Sequence, residues 1–204
     1  MEFVNVLDLE CREDFRIWLK AHSVTEKECW LALKRGKPAE SSTVSANSTV
    51  LSGGKRVFYY LDAVEEALCF GWIDSTCRKI DGKTMQRFGP RKKNSPWTDL
   101  NKERVRRLEK LGKMTPEGRA VLPDMNVESF KIDEKVETAL REAGAWENFR
   151  AFPGLYQRVR AYNVMFYEKR DPAAFERMLA RLAEQSAEGK MYGEWNDYGR
   201  LLNY

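Results

Sequence analysis

The sequence predicts an α+β fold, a small antiparallel sheet packed by helices, followed by a helical C-terminal module. Two patterns carry this expectation. Around residues 59–88 a helical apolar stripe gives way to period-two alternation on either side of Asp81-Gly82, whereas beyond residue 130 the apolar residues recur only at helical spacing. Size agrees, because 204 residues with 43% apolar and 12% aromatic content can close one sizeable core with a helical extension. The expected division is residues 1–124 for the α+β part and 125–204 for the helical module.

In chain order, Glu13 to Ala21 has Phe15, Trp18 and Leu19 at helical spacing, with acidic residues leading and Lys20 trailing, as the helix dipole favours. Glu28 to Arg35 is apolar on at least one face and reads as a strand that Gly36 ends. Lys37 to Lys55 holds seven Ser or Thr, two adjacent glycines and a proline, which reads as a surface loop, with a lid as the alternative. Tyr59 to Phe70 places Leu61, Val64, Ala67 and Leu68 on one helical face, and Gly71 supplies a left-handed cap.

Trp72, Asp74, Thr76 and Arg78 then alternate with Ile73, Ser75, Cys77 and Lys79. Asp81-Gly82 is the dipeptide that a type I′ turn prefers, so Lys83 to Phe88 is expected to return antiparallel. Pro90 ends that strand, and Ser95-Pro96 or Thr98-Asp99 opens a helix with Leu100, Val105, Leu108 and Leu111 as its stripe. Thr115-Pro116-Glu117 caps a short helix that Pro123 closes. Three further helices follow, on Ile132 to Leu140, Leu155 to Lys169 and Pro172 to about Gly189, and the aromatic tail from Met191 is expected to dock.

Charge points to a site. The net charge is only +4, yet from Trp72 to Lys113 there are 13 Lys and Arg against 5 Asp and Glu. That basic stretch implies an anionic partner, nucleic acid among the candidates, or pairing with the acidic ends of the same chain. The ligand-binding residues expected are Trp72, Asp74, Arg78, Arg87, Arg91, Lys92, Lys93 and Trp97. Arginine forks suit phosphate or carboxylate, indoles offer stacking surfaces, and Asp74 either orients a ligand or acts as a base, or else pairs with Arg78 or Arg87. Bulky aromatics at these spacings are more often core, which is the other reading of both tryptophans.

Other chemistries find little support. His22 is the only histidine, and Cys69 with Cys77 makes a single pair, so neither a metal site nor a cofactor is expected. Cys69 lies next to a helix C-terminus, which raises a thiol pKa and argues against a nucleophile. All four cysteines read as reduced core residues. No run approaches the roughly 18–20 apolar residues of a membrane span, and the N-terminus lacks a basic region followed by an apolar one, so a cytoplasmic protein without membrane insertion is expected.

LDAVEEALCFGWID, RFGPRK, SPWTDLN and LGKMTPEG occur in that order, and together they resemble the YdeI/OmpD-associated family, also called bacteriocin-protection proteins. The resemblance spans about Phe15 to Pro123. It implies the CyaY/YjbR-like grouping of α+β folds, no assigned catalytic residues, and, through the family name alone, association with an outer-membrane protein or protection against cationic peptides. Three functional expectations result: a non-catalytic binding protein with a basic hairpin-helix surface for an anionic partner; a small-molecule enzyme with a pocket around Asp74 and Arg91; and stress or bacteriocin protection through an envelope-protein partner.

Overall fold

The computed structural model describes residues 3–38, 57–93 and 95–204. The Ser/Thr-rich stretch lies outside them, except for Lys37 and Pro38. The fold is α+β and divides into two compact units, the first comprising residues 1–95, 105–123 and 204, and the second residues 96–104 and 124–203.

The first unit holds a four-stranded sheet of β1 (Val6–Leu7), β2 (Cys29–Ala32), β3 (Trp72–Ile80) and β4 (Lys83–Pro90), in the order β1-β2-β4-β3. β2, β4 and β3 run antiparallel, and β1 adds an edge parallel to β2, so the sheet is mixed. Asp81 and Gly82 both have positive φ, 48° and 78°, as a type I′ turn requires.

Helices α1 (Arg12–His22) and α2 (Tyr60–Cys69) cover the face that carries Cys29, Leu31, Trp72 and Phe88. Phe15 meets Phe88 edge-on at 5.6 Å between centroids, and each ring buried this way contributes about 1.5–3 kcal/mol. α2 is buried on every side, and its acidic residues Asp62, Glu65 and Glu66 are 4%, 1% and 2% exposed.

Burying three carboxylates is tolerable only with matched cations. Arg12 reaches Asp62 at 3.2 Å, Glu65 at 3.3 Å and also Glu66; Arg16 holds Glu66 at 2.8 Å, and Arg107 holds Glu65 at 2.9 Å. Burial would lower the Arg12 pKa, but Glu66, Glu65 and Asp62 outweigh it and the net direction is up.

α2 ends on Gly71, whose φ of +73° only glycine adopts cheaply. Beyond α3 (Asp99–Lys110), α4 (Pro116–Ala120) settles on the end of α2. The Cys69 carbonyl accepts bonds from the Thr115 amide at 3.1 Å and hydroxyl at 2.8 Å. A Cβ on Gly118 would lie 2.1 Å from that oxygen, so position 118 must be glycine.

In the second unit, α5 (Glu134–Glu142), α6 (Trp146–Ala151), α7 (Gly154–Met165) and α8 (Pro172–Ala187) pack around Val136, Leu140, Phe149, Tyr156, Val159 and Leu182. Asp133 and Asp171 cap α5 and α8 through their carboxylates. The tail joins this core through Trp195 and Leu201, and Asp197 grips Arg104 with two bonds of 2.7 and 2.8 Å.

Candidate functional site

The hairpin of β3 and β4 was expected to gather its site residues on one surface. A β-bulge prevents that. Asp74 pairs with Phe88 and Cys77 with Gln86, so Ser75 and Thr76 together oppose Arg87. The extra residue reverses the alternation. Trp72 and Asp74 share the helix-covered face with Cys77 and Lys79, whereas Arg78 moves to the opposite face with Met85, Lys83 and Arg87.

Trp72 is 1% exposed, meets Trp18 edge-on at 5.6 Å and donates its indole N–H to the Ser23 carbonyl at 2.9 Å. It is a core residue, not a stacking surface. Asp74 accepts a 2.6 Å bond from the Tyr60 hydroxyl, so its hydrogen-bond partner is a phenol, not the expected arginine. Arg87 is held by Glu28, with 2.7 Å bonds from both Nε and Nη2. The Glu28 carboxyl is lowered, first by the bond from the Trp30 indole and then by Arg87, against the opposing effect of burial.

The remaining expected residues spread out. Arg91 is buried at the root of the hairpin, where its backbone amide donates to the Gly71 carbonyl at 2.9 Å. Lys92 and Lys93 are exposed in the loop that follows, and Trp97 is half-buried and belongs to the second unit. At about 3.3 Å per residue, the seven steps from Lys83 to Pro90 separate the hairpin end from its root by roughly 23 Å. Of the 13 cations in the basic stretch, Arg87, Arg104 and Arg107 pair with Glu28, Asp197 and Glu65, carboxylates outside that stretch.

What the structure does bring together is the end of the hairpin. Arg78, Lys79 and Lys83 are exposed around the Asp81-Gly82 turn, and among the described residues none of their side chains takes part in an ion pair or hydrogen bond. Arg35 joins them: its guanidinium stacks over the Tyr60 ring at 4.4 Å and donates to Gln86 Oε1 at 2.8 Å and to Cys77 Sγ at 3.4 Å. Gln86, in turn, bonds the Ser75 and Thr76 carbonyls at 3.2 and 3.3 Å and so fastens the bulge. Lys83 borders a cleft beside Asp8 and Asp81, which tempers the charge on that side. Arg35 was visible in the sequence as the last cation before Gly36, but only strand pairing brings it to Cys77.

Three cysteines are buried and reduced. Cys77 corrects the expectation of four core thiols, because it is exposed. Burial, aided by Glu66, pushes the Cys69 thiol up to about 12, so it stays protonated at neutral pH and is a poor nucleophile. Among the described residues no group of three or more His, Cys, Asp or Glu is placed to hold a metal ion. Among the described helices none is long and apolar enough to cross a membrane.

The sequence model of a family described as a domain of unknown function, DUF8412, matches residues 7–121. The chain belongs to the DUF8412 family. No curated protein and no solved structure matches it. The DUF8412 segment contains the buried arginine-carboxylate network, the bulged hairpin and the contact of Gly118 with Cys69; it takes in residues 96–104 of the second unit and ends before α5 to α8.

Proposed function

We propose that this DUF8412 protein is a non-catalytic binding protein that holds a polyanion, with nucleic acid the class to test, against the end of its β3–β4 hairpin. The observation that carries this reading is the set of exposed cations around one turn, Arg78 and Lys83 on one face of the hairpin and Lys79 on the other, without carboxylate partners among the described residues and with Arg35 bonded to Cys77 on the Lys79 face. Because Trp72 is buried, the hairpin offers no indole for base stacking, and contact is with phosphates. Such binding is independent of base sequence. The relationship to the YdeI/OmpD-associated proteins and a cytoplasmic location belong to the same proposal, the former supported by the four motifs.

The test is fluorescence anisotropy with a labelled oligonucleotide duplex over a range of salt concentrations. Three or four phosphate contacts give a slope of log K against log salt of about −3 to −4. Replacing Arg78, Lys79 and Lys83 with Gln flattens that slope by about 2 to 3. Salt-independent affinity, or no binding at low salt, overturns the reading.

A further inference from the structure

Helices α5 and α8 pack against each other in the second unit, and a groove of about 510 Å³ lies between them, outside the family match. Its floor is apolar, formed by Ala139 of α5 and by Phe175 and Leu179 of α8. Phe175 and Leu179 stand four residues apart and so share one helical face. Ala139 and Leu179 are only half-buried, which leaves apolar surface in contact with water.

The rim of this groove is acidic. Glu134 and Glu142 line it from α5, about 12 Å apart along the helix axis, and Glu176 lines it from α8. All three are exposed, and among the described residues none of their side chains takes part in an ion pair or hydrogen bond. The neighbouring cations are engaged elsewhere. Lys135, which also lines the groove, is bonded to Glu168, while Arg141 pairs with Glu137 at 2.7 Å and lies over the Trp146 ring. The Lys135 amine is raised, first by Glu168 and then by Asp133 and Glu176, so the field around the groove is negative.

We propose that this groove docks a basic amphipathic helix of another protein, with its apolar side chains on Phe175 and Leu179 and its Lys or Arg towards Glu134, Glu142 and Glu176. Floor and rim together select this occupant. The rim repels an anionic membrane surface. A second copy of the chain has no basic helix to spare, because on α3, the most cation-rich of the described helices, Arg104 and Arg107 already hold Asp197 and Glu65. Glu134 and Glu142 lie just over two turns apart, so the matching cations of the partner recur at about every seventh or eighth residue. The proposal does not depend on the hairpin, which lies in the other unit.

The experiment is an NMR titration of the ¹⁵N-labelled full chain at low salt with three synthetic peptides of about 14 residues, roughly four helical turns. One is a Leu/Lys sequence with its leucines on one helical face, one a scramble of the same composition, and one a Leu/Glu counterpart of the first. The patterned Leu/Lys peptide is expected to give saturable shifts at the Thr138, Ala139, Phe175 and Leu179 amides, with the other two at least tenfold weaker. The triple variant Glu134→Gln, Glu142→Gln and Glu176→Gln, checked for an otherwise unchanged amide spectrum, is expected to bind the patterned peptide about tenfold more weakly and with little salt dependence. A scramble that binds the unaltered protein as tightly as the patterned peptide overturns the proposal, since the attraction is then charge alone. So do shifts that never saturate or that fall outside α5 and α8, and a triple variant that binds as before. Shifts at the same amides on concentrating the protein without peptide assign the groove to a second copy, and shifts there with phosphatidylcholine vesicles alone assign it to a lipid surface; either overturns the proposal.

Discussion

The Arg87 guanidinium closes on the Glu28 carboxylate at 2.7 Å across 59 residues of chain, and so a cation of the basic hairpin is neutralised by the strand next to it. Glu28→Gln releases Arg87, and oligonucleotide binding is expected to strengthen and to steepen in salt by about one further contact. The same pair sets an acid dependence. A carboxyl lowered by folding contributes fully above its ordinary value of 4.5, and the contribution fades as pH falls through the lowered native value. The stability difference between the parent protein and Glu28→Gln, measured in urea, should therefore shrink on the acid side of 4.5, from a plateau of under about 1 kcal/mol for so exposed a pair. A difference that stays flat through that range contradicts the assignment.

Gly118→Ala drives a methyl group against the Cys69 carbonyl, where only 2.1 Å is available. The obstacle is backbone, which cannot rotate aside. A loss of at least about 1–3 kcal/mol is expected, the usual range for overpacking. Gly112→Ala is the control, since nothing lies within 4 Å of its added carbon and only the cost of positive φ remains. Equal melting temperatures for the two variants would show that α4 does not sit on α2 as described.

Arg12→Met removes the cation that three buried carboxylates share, and leaves Arg16 and Arg107 to hold Glu66 and Glu65. Breaking such a buried network costs about 3–5 kcal/mol. Urea denaturation reads the change directly, and a loss under 1 kcal/mol would mean that water reaches the network.

Thiol chemistry separates the cysteines. One equivalent of a disulfide reagent is expected to react promptly with the native protein at Cys77, and three more only after unfolding. Cys77→Ser abolishes the prompt phase; a prompt phase that survives it places a second thiol at the surface.

The hairpin turn was legible because its chemistry is local. Asp81-Gly82 specifies its own backbone, and Gly71, Thr98 and Thr115 mark helix ends for equally local reasons. The parallel edge of Val6 and Leu7 was not legible, since a two-residue strand has no periodicity and its pairing with Trp30 and Leu31 is a long-range choice. The site residues were misplaced for a related reason. Strict alternation put Arg78 with Trp72 and Asp74, but the bulge at Ser75 and Thr76 moved it to the other face, and no residue type there announces an insertion. The partners of Asp74 and Arg87 lie on other elements, Tyr60 at the start of α2 and Glu28 just before β2, and spacing along β3 and β4 says nothing about either.

The two-against-one step at Ser75 and Thr76 also gives the ribbon slack. Beyond it the pairing of Cys77 with Gln86, and of every pair out to Ile80 with Lys83, is clamped by the turn at Asp81 and Gly82. Removing Thr76 would therefore straighten the strand while every remaining pair kept its partner. A deletion between Arg78 and Ile80 has no such reserve, and would turn the ribbon's sides over.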